Sequence, residues 1–419
     1  VSGRVWEELV GQEPAVEILS SAASSAAALV AADADTGEVT SAEDDGASAG
    51  NSAGNGPAPG GMTHAWLFTG PPGSGRSVAA RTFAAALQCT VDAGCGQCPG
   101  CRTALAGTHA DVRVVEPEGL SISVSEMRSL VQAASRRPTT GNWQVVIIAD
   151  ADRLTEGAAN ALLKAVEEPP DRTVFLLCAP SDHPEDVTVT IRSRCRLVGL
   201  RTPPVESIAT VLVNRDGIDP SRAEWAAAVC GGHVGRARRL ATDDDARARR
   251  ASVLRIPLGL RRADDMFRYA DELVRTAEAD ANEESKARDE AEQDALRTAM
   301  GAGGTGKGVA SAKRAADAAV KQLERKQKSR ATRTRRDTLD LALVDLAGFY
   351  RDVLVTASGA EAALNHPDYA EQSAEAARQW TPASTLRRLE AVLECREAIG
   401  WNVKPRIAVE AMVTTLREG

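Results

Sequence analysis

Aromatic residues are scarce in this chain, with five Phe, three Tyr and six Trp among 419 residues, so its cores must rest on Ala, Val and Leu. Positive charge is not in excess either: 50 Lys and Arg against 58 Asp and Glu leave a formal net charge of -8. That balance excludes a protein that coats nucleic acid by bulk positive charge, but not one with a local basic face. No run of about eighteen apolar residues occurs, so no transmembrane helix is expected. The opening "VSGRVWEELVGQE" has no apolar h-region, and a soluble cytoplasmic protein without membrane association is the expectation. Eight cysteines are present, and four of them fall within residues 89–101, which in a cytosolic chain favours metal over disulfides.

The length allows two or three domains, each with its own core. Residues 5–34 read as helical, and the Gly/Ala/Ser/acid-rich stretch 35–61 reads as a disordered insertion that cannot bury enough apolar surface to order itself. "AWLFTG" reads as a buried strand and "SVAARTFAAALQC" as the helix behind it. "DVRVVEP", "QVVIIAD" and "TVFLLCAP" are further apolar runs of strand length. Between the first two lies "SVSEMRSLVQAASRRP", a helix whose Ser/Glu start has the form of a capping box. Strands alternating with helices, and nearly continuous in apolar residues, imply an α/β domain with a parallel sheet covered on both faces, ending near residue 202. Beyond it the pattern is helical: a small domain over 203–246, then a second over 247–419. Within the latter, the charged, glycine-split stretch 276–335 reads as an insertion, partly helical and partly disordered.

"GPPGSGRS", Gly70-Pro71-Pro72-Gly73-Ser74-Gly75-Arg76-Ser77, meets the phosphate-loop pattern G-x-x-x-x-G-K-[ST] except at its seventh position, where Arg76 replaces lysine. Strand, glycine loop, helix is the context such a loop requires. Its glycines let backbone N–H groups converge on phosphate oxygens, and Ser77 is placed for Mg²⁺. Arginine is bulkier and fork-like, so it can hold phosphate yet need not reach lysine's position. An ordinary glycine-rich turn is the plainer alternative. The second glycine-lysine segment, "GAGGTGKG" at 301–308, lacks both the Ser/Thr and a preceding strand and reads as a linker. An acid should follow a later strand to hold Mg²⁺. After "VVII" the two positions where an active site carries Asp-Glu hold Ala149 and Asp150. Asp150, and Asp152 beyond it, either serve Mg²⁺ or merely open the next helix.

Cys89, Cys95, Cys98 and Cys101, spaced C-x5-C-x2-C-x2-C, suit a closed tetrahedral S₄ site and therefore structural Zn²⁺. A redox C-x2-C is the rival reading, but would not need four thiols. Arg192, Arg194 and Arg196 in "TIRSRCRL" would alternate onto one face of an extended segment. They are either a solvated basic edge or carry an arginine finger for a neighbour's nucleotide. Arg236, in "GGHVGRARRL", opens a helix where a phosphate sensor could sit.

Taken in order, these pieces resemble the clamp-loader subunits of the AAA+ class. "VWEELVGQEPAVEIL" resembles that family's N-terminal box; the glycine loop and four-cysteine module follow. "LTEGAANALLKAVEEPP" resembles its most recognisable helix, and Ser193-Arg194-Cys195 matches its Ser-Arg-Cys signature. The likeness covers about residues 5–30 and 62–240, and more loosely the C-terminus, where "NVKPRIAVEAMV" resembles a final collar helix. It implies a three-part protein: a P-loop AAA+ domain over 1–202 with the zinc module at 89–101, a helical lid over 203–246, and an all-α collar over 247–419 that oligomerises. The motor subunits of the family carry the loop lysine and the Asp-Glu pair. Arg76, Ala149 and Asp150 instead resemble the stator type found in the DNA polymerase III holoenzyme.

By that resemblance Arg194 is the finger acting in trans on a neighbour's ATP. The chain's own hydrolysis is not expected, while ATP and Mg²⁺ binding at 70–77 with Asp150 and Arg236 stays in play. The implied partners are motor subunits and a delta-type subunit in a hetero-oligomer, the sliding clamp through that complex, and primed DNA through phosphate contacts. A shorter first cysteine gap and the insertions at 35–61 and 276–335 depart from the family pattern. Two alternatives stand beside this reading. One is an active AAA+ ATPase using Arg76 and Asp150; the other is an unrelated zinc-containing P-loop protein acting alone.

Overall fold

The computed structural model describes residues 4–36, 61–117, 119, 121–299, 309–401 and 403–419. Most of the expected insertion at 35–61 and all of "GAGGTGKG" lie outside the described residues. The chain divides into two compact units, residues 1–217 with 232–235, and residues 218–231 with 236–419.

The first unit is built on five parallel strands: β1 Ala65–Thr69, β2 Val112–Val115, β3 Gln144–Ile148, β4 Thr173–Ala179 and β5 Arg196–Gly199, in the order β2-β3-β4-β1-β5. Side chains alternate across the sheet. Trp66, Phe68, Val145, Ile147, Leu176 and Cys178 pack on one face, with Leu19, Ala22 and Ala26 of the helix Glu13–Thr36 and Phe83 of the helix Arg76–Leu87. Ala65, Leu67, Val146, Ile148, Phe175 and Leu177 face the other way, onto Met127 and Leu130 of Val124–Ala134 and Leu162 and Val166 of Glu156–Glu167. Burial on both faces is why the central strands read as unbroken apolar runs. The capping box at Val124–Ala134 is present, with Ser123 and Glu126 exchanging side-chain and backbone hydrogen bonds.

Three expectations need correction. The helix read over 5–34 is broken: a 3-10 turn spans Arg4–Glu8, Gly11 takes φ +66°, and the long helix starts at Glu13 with Pro14 in its first turn. Its segment Glu13–Ala32 is long and apolar enough by composition to cross a membrane, against the expectation that no such segment exists. Alanine supplies that apolarity without any long run of large residues, and Ala15, Leu19, Ala22, Ala23 and Ala26 bury one stripe of it in the core. Finally, β5 adds a fifth strand that the sequence does not signal, because "RLVG" is short and carries one buried side chain, Val198.

The second unit is helical. Its core gathers Leu254, Leu273, Leu343, Phe349, Tyr350, Val392, Val409 and Val413 from the helices Asp244–Gly259, Ala263–Ala299, Val309–Ser358, Pro382–Gly400 and Pro405–Glu418. The sequence limits of 276 and 335 fall inside two of these helices, since Ala, Glu, Gln, Lys and Arg sustain helix without a large apolar face.

Candidate functional site

β1 delivers the chain to Gly70, whose N–H donates to Pro180 O at 3.1 Å. The loop then turns through Gly73 (φ +88°) and Gly75 (φ +89°), and Gly75 caps the helix Arg76–Leu87. A side chain at Gly73 would meet the Cα and Cβ of His233 at 3.0 Å, so that segment packs directly on the loop. Pro71, Pro72 and Ser77 are exposed, whereas Ser74 is buried. Gln12 fastens the loop from below: Nε2 donates to Ser74 O at 3.2 Å and to Arg201 O at 2.5 Å, while Oε1 accepts from Arg201 N at 3.1 Å. Arg76 turns inward, its Nη1 donating to Gly70 O at 2.6 Å. The guanidinium therefore bridges the first and seventh residues of its own loop.

Across β4 from the loop, β3 ends at Ile148 and Asp150 precedes the 3-10 turn Ala151–Arg153. Burial, and then the charge of Asp150, raise the Asp152 carboxyl above its ordinary range, against a lowering influence of Arg76. Cys178, buried on β4, is pushed up to about 12 by burial, which Arg76 opposes and Asp150 reinforces to a smaller extent. Arg76, Asp150 and Asp152 thus share one electrostatic neighbourhood at the C-terminal strand ends, where open α/β sheets place ligands. Arg236 belongs to the second unit, and its Nη2 lies 2.5 Å from both carboxylate oxygens of Asp345.

The three arginines after β4 do not share a face as alternation predicts, because Val189–Arg192 is helical rather than extended. Arg192 ends that helix and pairs with Asp182 at 2.7 Å. Arg196 opens β5, donates to Gly61 O and lies 5.0 Å over the Trp66 ring. Arg194, in the turn between them, meets Glu167 Oε1 at 2.7 Å and donates to Thr190 O at 2.9 Å, with its side chain 39% exposed.

Cys89, Cys95, Cys98 and Cys101 do converge, all four Sγ atoms lying within 4.8 Å of one another. Tetrahedral Zn–S bonds of about 2.3 Å require S···S separations of roughly 3.8 Å, and Cys98 Sγ stands 3.9 Å from Cys89 Sγ. Backbone N–H groups of Asp92 and Cys95 point at Cys89 Sγ at 3.4 Å, Cys98 N at Cys95 Sγ and Cys101 N at Cys98 Sγ, also at 3.4 Å. Burial works to raise the Cys89 thiol, but the surrounding N–H groups outweigh it and hold it at about 6. Donors aimed at sulfur favour thiolate, so the four residues fit a divalent metal such as zinc.

Two positions escaped the sequence reading. Gln12 lies in the stretch that resembles the family's N-terminal box, but nothing local in the sequence marks it as the loop's fastener. Asp111, before β2, is buried and accepts from the backbone and hydroxyl of Thr139 and Thr140 and from Gly141 N, at 2.7 to 3.0 Å. Its partners lie 28 to 30 residues away.

A family model described as "DNA polymerase III, delta subunit" matches residues 55–204. The DNA polymerase III delta' subunit of Bacillus subtilis (strain 168) is 26% identical over 362 residues, which is 85% of this chain and 92% of that protein. The delta' subunit of Escherichia coli (strain K12) is 38% identical over 154 residues, 36% of this chain and 46% of its own length. The tau subunit of B. subtilis is 36% identical over 138 residues, 32% of this chain and 24% of its own. The chain therefore spans nearly all of the first relative and less than half of the other two.

Proposed function

From a chain that belongs to the delta' family of DNA polymerase III clamp-loader subunits, we propose a replication protein that does its chemistry at a neighbour's ATP site rather than at its own. Arg194 is the group that acts there. The observation that carries this reading is how lightly Arg194 is held: its partners, Glu167, Thr190 and Ser193, are contacts at the protein surface. Exposed ion pairs contribute about 0 to 1 kcal/mol, so exchanging Glu167 for a phosphoryl group costs little. A fixed-charge, forked cation suits charge developing on a transferred phosphoryl.

The chain's own loop supports the same division of labour. Arg76 is turned onto Gly70 O, His233 packs on Gly73, and Ala149 stands where an acid would be needed. Gly70–Ser77 with Asp150 then serves as scaffold with at most nucleotide binding. Arg236, paired with Asp345, would have to leave that partner to sense phosphate. In this reading 203–246 is the lid and 247–419 the collar. Trp401 and Val403, exposed at the turn before the last helix, and Ile407, exposed in that helix's first turn, supply apolar surface for assembly with motor and delta-type subunits. Zinc at Cys89, Cys95, Cys98 and Cys101 is structural, because four protein thiolates leave no open coordination position.

The test is ATP turnover by a loader reconstituted with motor subunits, clamp and primed DNA, comparing the native chain with Arg194→Ala. Removal of an arginine finger should lower turnover at the one affected site by about 10³-fold or more while the complex stays assembled. Unchanged turnover would leave Arg194 a structural surface residue and return attention to Arg76 and Asp150.

A further inference from the structure

The helices Ala263–Ala299 and Val309–Ser358 run antiparallel, and their charges are segregated. Residues 278–299 carry eight acids and three bases, whereas residues 309–336 carry ten bases and two acids. Part of this excess is consumed between the helices. Arg330 pairs with Asp289 and Glu292, and Arg335 with Glu278 at 3.2 Å. Gln327, buried between them, donates to Asp289 O at 3.0 Å. Lys321, Arg325 and Lys328 are exposed and have no such partner among the described residues. At i, i+4 and i+7 they form one stripe, roughly 10 Å long at 1.5 Å per residue, which Thr332 continues and Glu324 borders.

We propose that Lys321, Arg325 and Lys328 form a contact surface for the phosphate backbone of duplex nucleic acid. This rests on the reading above that the chain works on primed DNA, and adds to it a site on the helical pair. The stripe is straight and its cations point outward from a helix anchored by ion pairs on its other side. No large apolar side chain interrupts it, so it has nothing to insert into a lipid surface and no anchor pocket for a folded partner. What remains is charge alone, the means by which a phosphate backbone is held without regard to sequence. The overall charge of -8 makes the attraction local to this element.

The experiment is binding of the full chain to a blunt DNA duplex by fluorescence anisotropy across a salt series, with the triple variant K321A/R325A/K328A. Each phosphate contact contributes about 0.9 to the slope of log K against log salt. Three contacts make native binding fall about 40-fold more steeply than the variant's between about 50 and 200 mM salt. Lys286→Ala, an exposed cation on the acidic helix, should leave slope and affinity unchanged, and circular dichroism should show both variants helical. Equal slopes for native and triple variant, or no duplex binding by the native chain at low salt, overturns the proposal. So does loss of binding only to anionic lipid vesicles or polyglutamate. The readout involves no ATP turnover, so its failure and that of the Arg194 reading are distinguishable.

Discussion

Asp111→Asn tests whether one buried carboxylate holds the entry to β3. Asp111 is 2% exposed, and its oxygens accept three backbone N–H groups and two hydroxyls from Thr139, Thr140 and Gly141. Burial raises its carboxyl, but those hydrogen bonds outweigh burial and hold it well below the usual carboxylate range. The same turn meets Gln88, whose Oε1 accepts from Asn142 N at 3.0 Å and whose Nε2 donates to Trp143 O at 2.5 Å, one residue before Cys89. An asparagine has one acceptor oxygen. The threonine hydroxyls can rotate to accept from its amide, but in either orientation at least one backbone N–H faces an NH₂ group. Losing a charge-assisted bond of about 1.5 to 3 kcal/mol and leaving a buried donor unpaired gives a cost of about 3 kcal/mol, after relief of carboxylate desolvation. At about 1.4 kcal/mol per decade, amide hydrogens of Gln144–Ile148 should exchange about 100-fold faster in the variant at neutral pH. The sign with pH is set by linkage. A depressed folded pKa gives stability that is present above about pH 4 and lost as pH falls through the folded value, so the native and variant exchange rates should converge on acidification. Equal protection at neutral pH, or a difference that does not shrink in acid, would refute the assignment.

Two further outcomes follow from the geometry. Purified native chain should carry about one zinc per molecule, and Cys101→Ser should lose it together with exchange protection of the helix Pro99–Leu105, as elemental analysis and hydrogen exchange would show. His366 is buried in the second unit, with Nε2 2.9 Å from Asp345 O and Nδ1 2.9 Å from Arg250 Nη2, which can only donate. Burial first, offset in part by Asp345 and reinforced by Arg250, lowers its pKa, so the unfolded chain takes up a proton that the folded one resists. Urea midpoints of the second unit should therefore drop as pH falls below about 6.5, and His366→Gln should flatten that dependence; an equally steep profile in the variant would assign it elsewhere.

Much of the first unit is legible in the chain because its signals are local. Parallel strands buried on both faces must be apolar throughout, so β1, β3 and β4 stand out as runs, whereas the short edge strand β5 does not. The glycine loop, the four-cysteine spacing and the Ser123/Glu126 box are each contained within about a dozen residues, and each forms as its spacing requires. What tertiary structure alone decided is choice of partner. A sequence records that residue 76 is arginine, but only the fold brings Gly70 O within 2.6 Å of its guanidinium and His233 onto Gly73. Spacing offered Arg192, Arg194 and Arg196 as one face; one turn of helix sends them to Asp182, Glu167 and Gly61. Charge composition marked 276–335 as a polar insertion, and it is the antiparallel approach of two helices that pairs Arg330 with Asp289 and leaves Lys321, Arg325 and Lys328 outward. Backbone periodicity is dictated by neighbours in sequence. The groups that satisfy a buried carboxylate or turn a cation inward come from tens of residues away, and only the packed chain determines which they are.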